Sequence, residues 1–173
     1  MDKIVTRNCA KFIRTKLNLY SISNLMVERI RELPEYKEAR VVLLYYPKVG
    51  ELDLTALVED DKEFCLPRIE QRILQACPWK LGDELVLSTF QVQEPLTTAI
   101  NPMDIDLIIT PGLCADVQRN RLGYGKGCYD EFIPRTNAVT IFPVPDELLF
   151  NQIPSEAHDI KPDIVITPTK IIH

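Results

Sequence analysis

The chain is short of glycine, has no closely paired cysteines, no excess of positive charge and no long apolar run. No stretch approaches the ~18–20 consecutive apolar residues that a membrane-spanning helix needs. The first residues are polar and cationic, so no signal peptide is expected, and a soluble, cytoplasmic protein is the reading that follows. The five cysteines (Cys9, Cys65, Cys77, Cys114 and Cys128) are scattered and form no C-x-x-C pair, which speaks against a zinc site or redox pair and for reduced thiols. Lysine and arginine number 20 against 25 acidic residues, a net charge of −5. Binding through a phosphate backbone favours the opposite balance. Neither a nucleic acid nor a membrane is therefore expected as a partner, and an anionic ligand has to be met by a few placed cations. The six glycines are Gly50, Gly82, Gly112, Gly123, Gly125 and Gly127.

What is present suits one self-sufficient domain over residues 1–173, with 46% hydrophobic and 26% charged residues. A chain of this length buries roughly two-thirds of its unfolded surface. Asp2 is placed to cap a first helix running to about Asn18, with Ile4, Cys9, Phe12, Ile13 and Leu17 as its apolar stripe and Lys3, Arg7, Lys11 and Arg14 beside it. Ser21 or Ser23 is expected to cap a second helix, stopped by Pro34. The run Val41-Val42-Leu43-Leu44-Tyr45-Tyr46 reads as a strand buried on both faces. A short helical stretch at 54–58 and a strand at 63–66, ending at Pro67, come next. Residues 70–101 offer one strand, at 84–90, and otherwise loop. Further strands are expected at 105–110, 139–142 and 164–167, with a helix opening at 129–133. Apolar strands that end in Pro or Gly and alternate with helical segments predict an α/β fold with a parallel sheet. Ligands of such sheets gather beyond the carboxyl ends of the strands, which brings the loops 47–51, 111–130 and 167–169 towards one edge.

Half of the six glycines fall in Arg121-Leu122-Gly123-Tyr124-Gly125-Lys126-Gly127-Cys128-Tyr129-Asp130. Alternate glycines let the backbone take positive φ and turn several N–H groups towards one point. Such a nest binds phosphate oxygens, and Arg121 and Lys126 would add charge to it. A helix beginning near Tyr129 would favour the same anion. A plain flexible loop is the other reading of the glycines alone. The segment is not a Walker A loop, because the G-K-[ST] ending is missing. Nor is it a dinucleotide fingerprint, which needs G-x-G-x-x-G directly after a strand.

The same segment resembles the signature of the 5-formyltetrahydrofolate cyclo-ligase family. Lys3 and Arg7 resemble that family's N-terminal Lys-x-x-x-Arg, and Gly50-Glu51 its Gly-Glu after the first strand. Phe64-Cys65-Leu66-Pro67-Arg68, Glu94-Pro95, the strand at 105–112, and Ile153-Pro154 with His158-Asp159 and Asp163 follow in the family's order. The resemblance spans nearly the whole chain, and the glycine loop is its most specific part. It implies a three-layer α/β/α domain with a mostly parallel sheet, related to sugar-phosphate isomerases and coenzyme A transferases. It also implies an enzyme that uses ATP and Mg2+ to close 5-formyltetrahydrofolate into 5,10-methenyltetrahydrofolate, releasing ADP and phosphate. The formyl oxygen would attack the γ-phosphorus, N10 would add to the activated carbon, and phosphate would leave. Such chemistry rests on aligning two substrates and neutralising charge on the transferring group.

The resemblance also assigns roles. Arg121 and Tyr129 are the expected catalytic residues. Lys3, Arg7, Arg121, Gly123, Gly125, Lys126 and Gly127 would hold ATP, and Tyr46, Glu51, Tyr124 and Cys128 would contact the folate. Asp130 and Asp159 would hold Mg2+, an ion suited to hard carboxylate oxygens. Plainer readings stand beside these: a solvated basic face for Lys3 and Arg7, a helix cap for Asp130, a surface turn for Asp159, an exposed loop for Glu51, a core strand end for Tyr46. His158 is expected to anchor Asp159 rather than to act as a base. Three positions depart from the family's pattern: Cys128 stands where a tyrosine is usual, and Arg119 and Gln91 where a glycine is usual. A non-catalytic folate- or nucleotide-binding protein on the same scaffold is the main alternative, and an isomerase of related fold, needing no ATP, is another. A monomer is expected.

Overall fold

The apolar runs after Pro34 become strands of one central sheet. In a computed structural model, which describes residues 2–173, the strands in chain order are β1 (Val41–Leu43), β2 (Glu63–Glu70), β3 (Ile73–Pro78), β4 (Leu85–Leu87), β5 (Gln93–Pro95), β6 (Leu107–Ile109), β7 (Cys114–Asp116), β8 (Arg121–Leu122), β9 (Val139–Pro143), β10 (Leu149–Phe150), β11 (Ile164–Ile166) and β12 (Ile171–Ile172). Seven of them form a sheet ordered β12-β11-β9-β6-β1-β2-β3. The strands from β11 across to β2 are parallel, while β3 and β12 close the two edges antiparallel. The chain enters at β1, builds outwards to β3, then returns to β6 and builds the other way. That reversal between β1 and β6 opens a crevice beyond their carboxyl ends.

Helices α1 (Lys3–Arg14), α2 (Leu19–Glu32), α3 (Pro34–Glu38) and α4 (Cys128–Phe132) cover the sheet. Alternate strand residues point to opposite faces. Val42, Leu107, Ile109, Ile141 and Ile164 pack with Met26, Ile30 and Tyr36 of α2 and α3. On the other face Leu43, Cys65 and Ile108 meet Phe132 of α4. Beside them, Phe142 and Val165 meet Ala10 of α1 and the small sheet β10-β7-β8. The expected three layers are present. Among the described residues no helix is long and apolar enough to cross a membrane.

Helix α1 departs from its expected form. Asp2 does cap it, accepting from the Val5 N–H at 2.8 Å. The helix ends at Arg14, however, and its buried residues are Thr6, Ala10 and Arg14. Ile4 and Phe12, expected in the apolar stripe, are 67% and 65% exposed, and Cys9 is exposed as well. Only Ile13 and Leu17 of that stripe pack against the core. At ~100° per residue, Lys3, Arg7, Ala10 and Arg14 fall within about 60° of one another. The helix docks on its cationic side.

Other differences are local. Asn18, not a serine, caps α2, accepting from the Ser21 N–H at 3.1 Å. Asparagine caps as well as serine and here comes a turn earlier. Ser23 lies inside the helix and donates to Leu19 O at 2.6 Å. Strand β2 runs on through Pro67, which lies past the last β1 pair, Leu43 with Cys65, so no neighbour waits for the N–H it lacks. Two residues on along the same edge, the Ile69 N–H donates to Glu94 Oε1 at 3.2 Å. Residues 70–101 hold more strand than expected, because β3 follows a two-residue turn at Gln71 and Arg72, whose φ values are 48° and 71°. Asn-Gly usually takes such a turn, so the sequence carries no signal for this one. The expected strand at 84–90 is β4, paired with β5 in a hairpin.

Candidate active site

The crevice at the reversal is a cavity of about 760 Å³. Its walls include Lys3 and Arg7 of α1, Tyr46 and Glu51 beyond β1, the segment from Arg121 to Asp130, and Asp159. All the residues expected to act on ATP, folate or metal thus come together around one cavity. The loops 47–51 and 111–130 meet there as expected, but 167–169 does not. The Thr167 and Thr169 hydroxyls donate instead to Asp146, because β11 lies two strands away from the reversal.

The glycine loop forms one wall. Gly125 and Gly127 have φ of 93° and 71°, the left-handed region that only glycine enters freely. Gly123 does not share it, so only two of the three glycines serve the backbone in that way. At Gly125 a Cβ would also stand 3.3 Å from the Arg7 guanidinium carbon and from Nη2. The N–H groups of 123–127 donate to no acceptor among the described residues. Arg7 underpins the loop, its Nε donating to Gly123 O at 2.9 Å. Lys126 lies across the cavity mouth, 5.2 Å from the ring of Phe90 on the β4–β5 hairpin.

Arg121 forms the floor, its side chain only 4% exposed. Nη1 donates to Pro111 O at 2.9 Å and Nη2 to Asp130 Oδ1 at 3.1 Å, while Nε is buried without a partner among the described residues. Its guanidinium lies 5.9 Å from the centre of the Tyr129 ring, whose hydroxyl is likewise buried and unpartnered. A buried donor left unpaired costs about 1–3 kcal/mol, so these two are notable in a cavity wall.

Glu51 marks the opposite side, with Oε2 accepting from the Lys48 N–H at 2.8 Å. Its charge acts on the phenols of Tyr45, Tyr124 and Tyr129, and the Tyr45 hydroxyl donates to Leu52 O at 2.9 Å. Burial first, and then the charge of Glu51, raises the pKa of each, so each remains a hydrogen-bond donor at neutral pH. Tyr46 lines the cavity and sets its ring edge-on to Trp79 at 6.1 Å. Cys128 opens α4 half-buried; burial and then Glu131 push its thiol up, so it is no ready nucleophile.

The two aspartates expected at a metal are both engaged. Asp130 Oδ1 accepts from Arg121 and from the Ile160 N–H, leaving Oδ2 without a partner among the described residues. Asp159 accepts from Lys3 Nζ at 2.7 and 2.9 Å and from the Glu156 N–H at 2.7 Å. Lys3 also meets Glu156 at 3.0 Å, so an ammonium stands among these carboxylates. Burial works against the Lys3 charge, yet these bonds outweigh it and hold the ammonium pKa above its ordinary value. A hard cation fits Asp130 directly. Asp159 lies with Glu156 and His158, whose ligand atoms all fall within 4.8 Å of one another, beside the Lys3 ammonium. His158, largely exposed, reaches Glu156 at 3.2 Å and Asp159 at 3.7 Å.

Several residues of the site were not foreseen. Tyr45, Lys48, Phe90, Glu94 and Glu156 line the cavity, and Arg14 lies buried beneath it. The helical period that places Lys3 and Arg7 together also includes Arg14, and that spacing was the available signal. Arg119 and Gln91, at positions where glycine is usual, have φ of 63° and 58°. The backbone keeps the shape that glycine favours despite the side chains. Arg119 Nη1 gains bonds to Pro162 O and Asp163 O at 3.1 and 2.9 Å.

Fold and site define an α/β enzyme with a glycine loop facing a compartment lined by tyrosines and a carboxylate. The profile of the 5-formyltetrahydrofolate cyclo-ligase family matches residues 11–168, and the chain belongs to that family. An Escherichia coli K12 protein named 5-formyltetrahydrofolate cyclo-ligase is 28% identical over 163 residues, 83% of this chain and 86% of its own. The solved structure of Aquifex aeolicus 5,10-methenyltetrahydrofolate synthetase superposes with a TM-score of 0.89 at 30% identity, covering 99% of this chain and 92% of that one. A Mycoplasma pneumoniae 5,10-methenyltetrahydrofolate synthetase shares the fold, with a TM-score of 0.78 at 16% identity over 96% of this chain and 98% of its own.

Proposed function

We propose that the protein cyclises 5-formyltetrahydrofolate to 5,10-methenyltetrahydrofolate while converting ATP to ADP and phosphate. The observation that carries this reading is the division of one cavity into two chemistries. The glycine loop's N–H groups, free of acceptors among the described residues, join Arg7 and Arg121 in one part of the lining, and Glu51 with Tyr46 beyond β1 makes another. The first suits a polyphosphate. The second suits a pterin, whose paired N–H donors match a carboxylate.

In this scheme the formyl oxygen on N5 attacks the γ-phosphorus and the bond to ADP breaks. N10 then adds to the activated carbon and loses its proton, and the C–O bond breaks to release phosphate. Arg121 brings its positive charge to the transferring group, with Tyr129 beside it. Lys3 and Arg7 hold the nucleotide phosphates with the N–H groups of Gly123, Gly125, Lys126 and Gly127. Glu51, Tyr46, Tyr124 and Cys128 border the folate. Asp130 and Asp159 would hold Mg2+, which would supply positive charge against the phosphates.

The test is to mix purified protein with 5-formyltetrahydrofolate, ATP and magnesium. Absorbance of the conjugated methenyl product should appear, and vanish when ATP is left out. Folate and nucleotide binding without product would instead mark a binding protein on this scaffold.

A further inference from the structure

Beneath the cavity lies a guanidinium that this reading leaves unused. Arg14 is 7% exposed, and none of its bonds reaches a carboxylate. Nη2 donates to Gly112 O and to Leu113 O, the latter at 3.2 Å. Nη1 donates to Gly50 O at 3.0 Å and reaches the Tyr124 hydroxyl at 3.5 Å, while Nε is buried without a partner. Burying a charge costs several kcal/mol unless it is well bonded, so a space-filling role would suit an apolar side chain better. A planar fork holding carbonyls of separate segments is a clamp, one that lysine reproduces poorly.

The clamped segments matter. Gly50, at φ 85°, immediately precedes Glu51. Gly112 and Leu113 follow β6, next to the Pro111 carbonyl that Arg121 holds. Tyr124 belongs to the glycine loop, and its hydroxyl stands between the charges of Glu51 and Arg14. Arg14 therefore joins the loop beyond β1, the loop beyond β6 and one phenol, while Arg7 bonds to the loop at Gly123 O and packs beneath Gly125.

We infer that Arg14 is a positioning residue for the folate half of the cavity, fixing the Glu51 loop and the Tyr124 hydroxyl against the end of β6 so that both face the pterin together. The inference rests on the cyclo-ligase reading.

The experiment measures both KM values, kcat and Tm for Arg14→Gln, Arg14→Lys, Tyr124→Phe and the double variant Arg14→Lys/Tyr124→Phe. Arg14→Gln should raise the folate KM by about tenfold, the loss expected for a buried charged hydrogen-bond set, with the ATP KM within about twofold of wild type. Arg14→Lys should fall between the two. If Arg14→Gln does not fold, the cycle decides: Tyr124→Phe should raise the folate KM by less in the Arg14→Lys background than in wild type, because the two share one contact. Additive effects, or folate and ATP KM rising in parallel, would overturn the inference. A wild-type protein that makes no methenyl product would instead defeat the cyclo-ligase reading, which keeps the two failures apart.

Discussion

Replacing Gly125 with alanine tests the phosphate wall where its geometry is tightest. The backbone there has φ 93°, and a Cβ would meet the Arg7 guanidinium at 3.3 Å. The left-handed conformation costs an alanine ~1–2 kcal/mol, worth a fall in Tm of about 2–8 °C in a chain of this size. Arg7 is tethered by its Nε bond to Gly123 O, so it cannot yield freely to the new methyl. A charge-assisted contact to phosphate contributes ~1.5–3 kcal/mol, and losing its lower end raises the ATP KM roughly tenfold. Gly127→Ala is the matched comparison, with φ 71° and nothing within 4 Å of the new carbon. It carries the backbone strain without the push on Arg7. Steady-state kinetics at saturating folate, with melting curves for both variants, should show similar losses in Tm and a clearly larger rise in ATP KM for Gly125→Ala. In an Arg7→Ala background, Gly125→Ala should add little to that KM. Equal ATP KM values for the two glycine variants would refute the reasoning.

Other expectations are quickly stated. Arg121→Ala should lower kcat by ~10²–10³-fold, the usual loss for a group that stabilises transition-state charge; turnover near wild type would remove Arg121 from that role. Glu51→Gln should raise the folate KM and leave the ATP KM alone, so an unchanged folate KM would take Glu51 out of the folate pocket. Away from the site, burial favours the neutral form of Asp60, but bonds from Arg31 and Tyr36 outweigh it and hold its pKa below the ordinary value. Its stabilisation is therefore complete above the ordinary aspartate range of about pH 4 and fades as pH falls through the depressed value. Chemical denaturation against pH should show Asp60→Asn less stable at neutrality and converging with wild type in acid; parallel curves would exclude the effect.

The sequence displayed the middle of the sheet well. Continuous runs such as 41–46 and 105–110 have only one comfortable place, between two layers. The glycine loop was equally visible, since three of six glycines within five positions is a local feature. What stayed hidden depends on partners far along the chain. Strands β7, β8 and β10 are two or three residues long and exist because they pair with one another. The turn at Gln71 and Arg72 adopts positive φ without glycine or asparagine. Arg14 looked like one more surface cation, because its acceptors are carbonyls at 50, 112 and 113. Hydrophobic periodicity misjudged α1 for the same reason: Lys3, Arg7 and Arg14 on its docking side bond to loops, and only Ala10 and Ile13 of the helix pack against the apolar core.

That reversed helix ties scaffold to contents. Lys3 is bound to Asp159, Arg7 to Gly123 and Arg14 to Gly50 and Gly112, so much of α1's adhesion runs through the loops that border the cavity. Added phosphate charge at Lys3 and Arg7 should tighten the helix against the body, slowing amide exchange along it. Salt, by screening the same charges, should loosen helix and nucleotide together. Affinity and architecture respond here to a single dial.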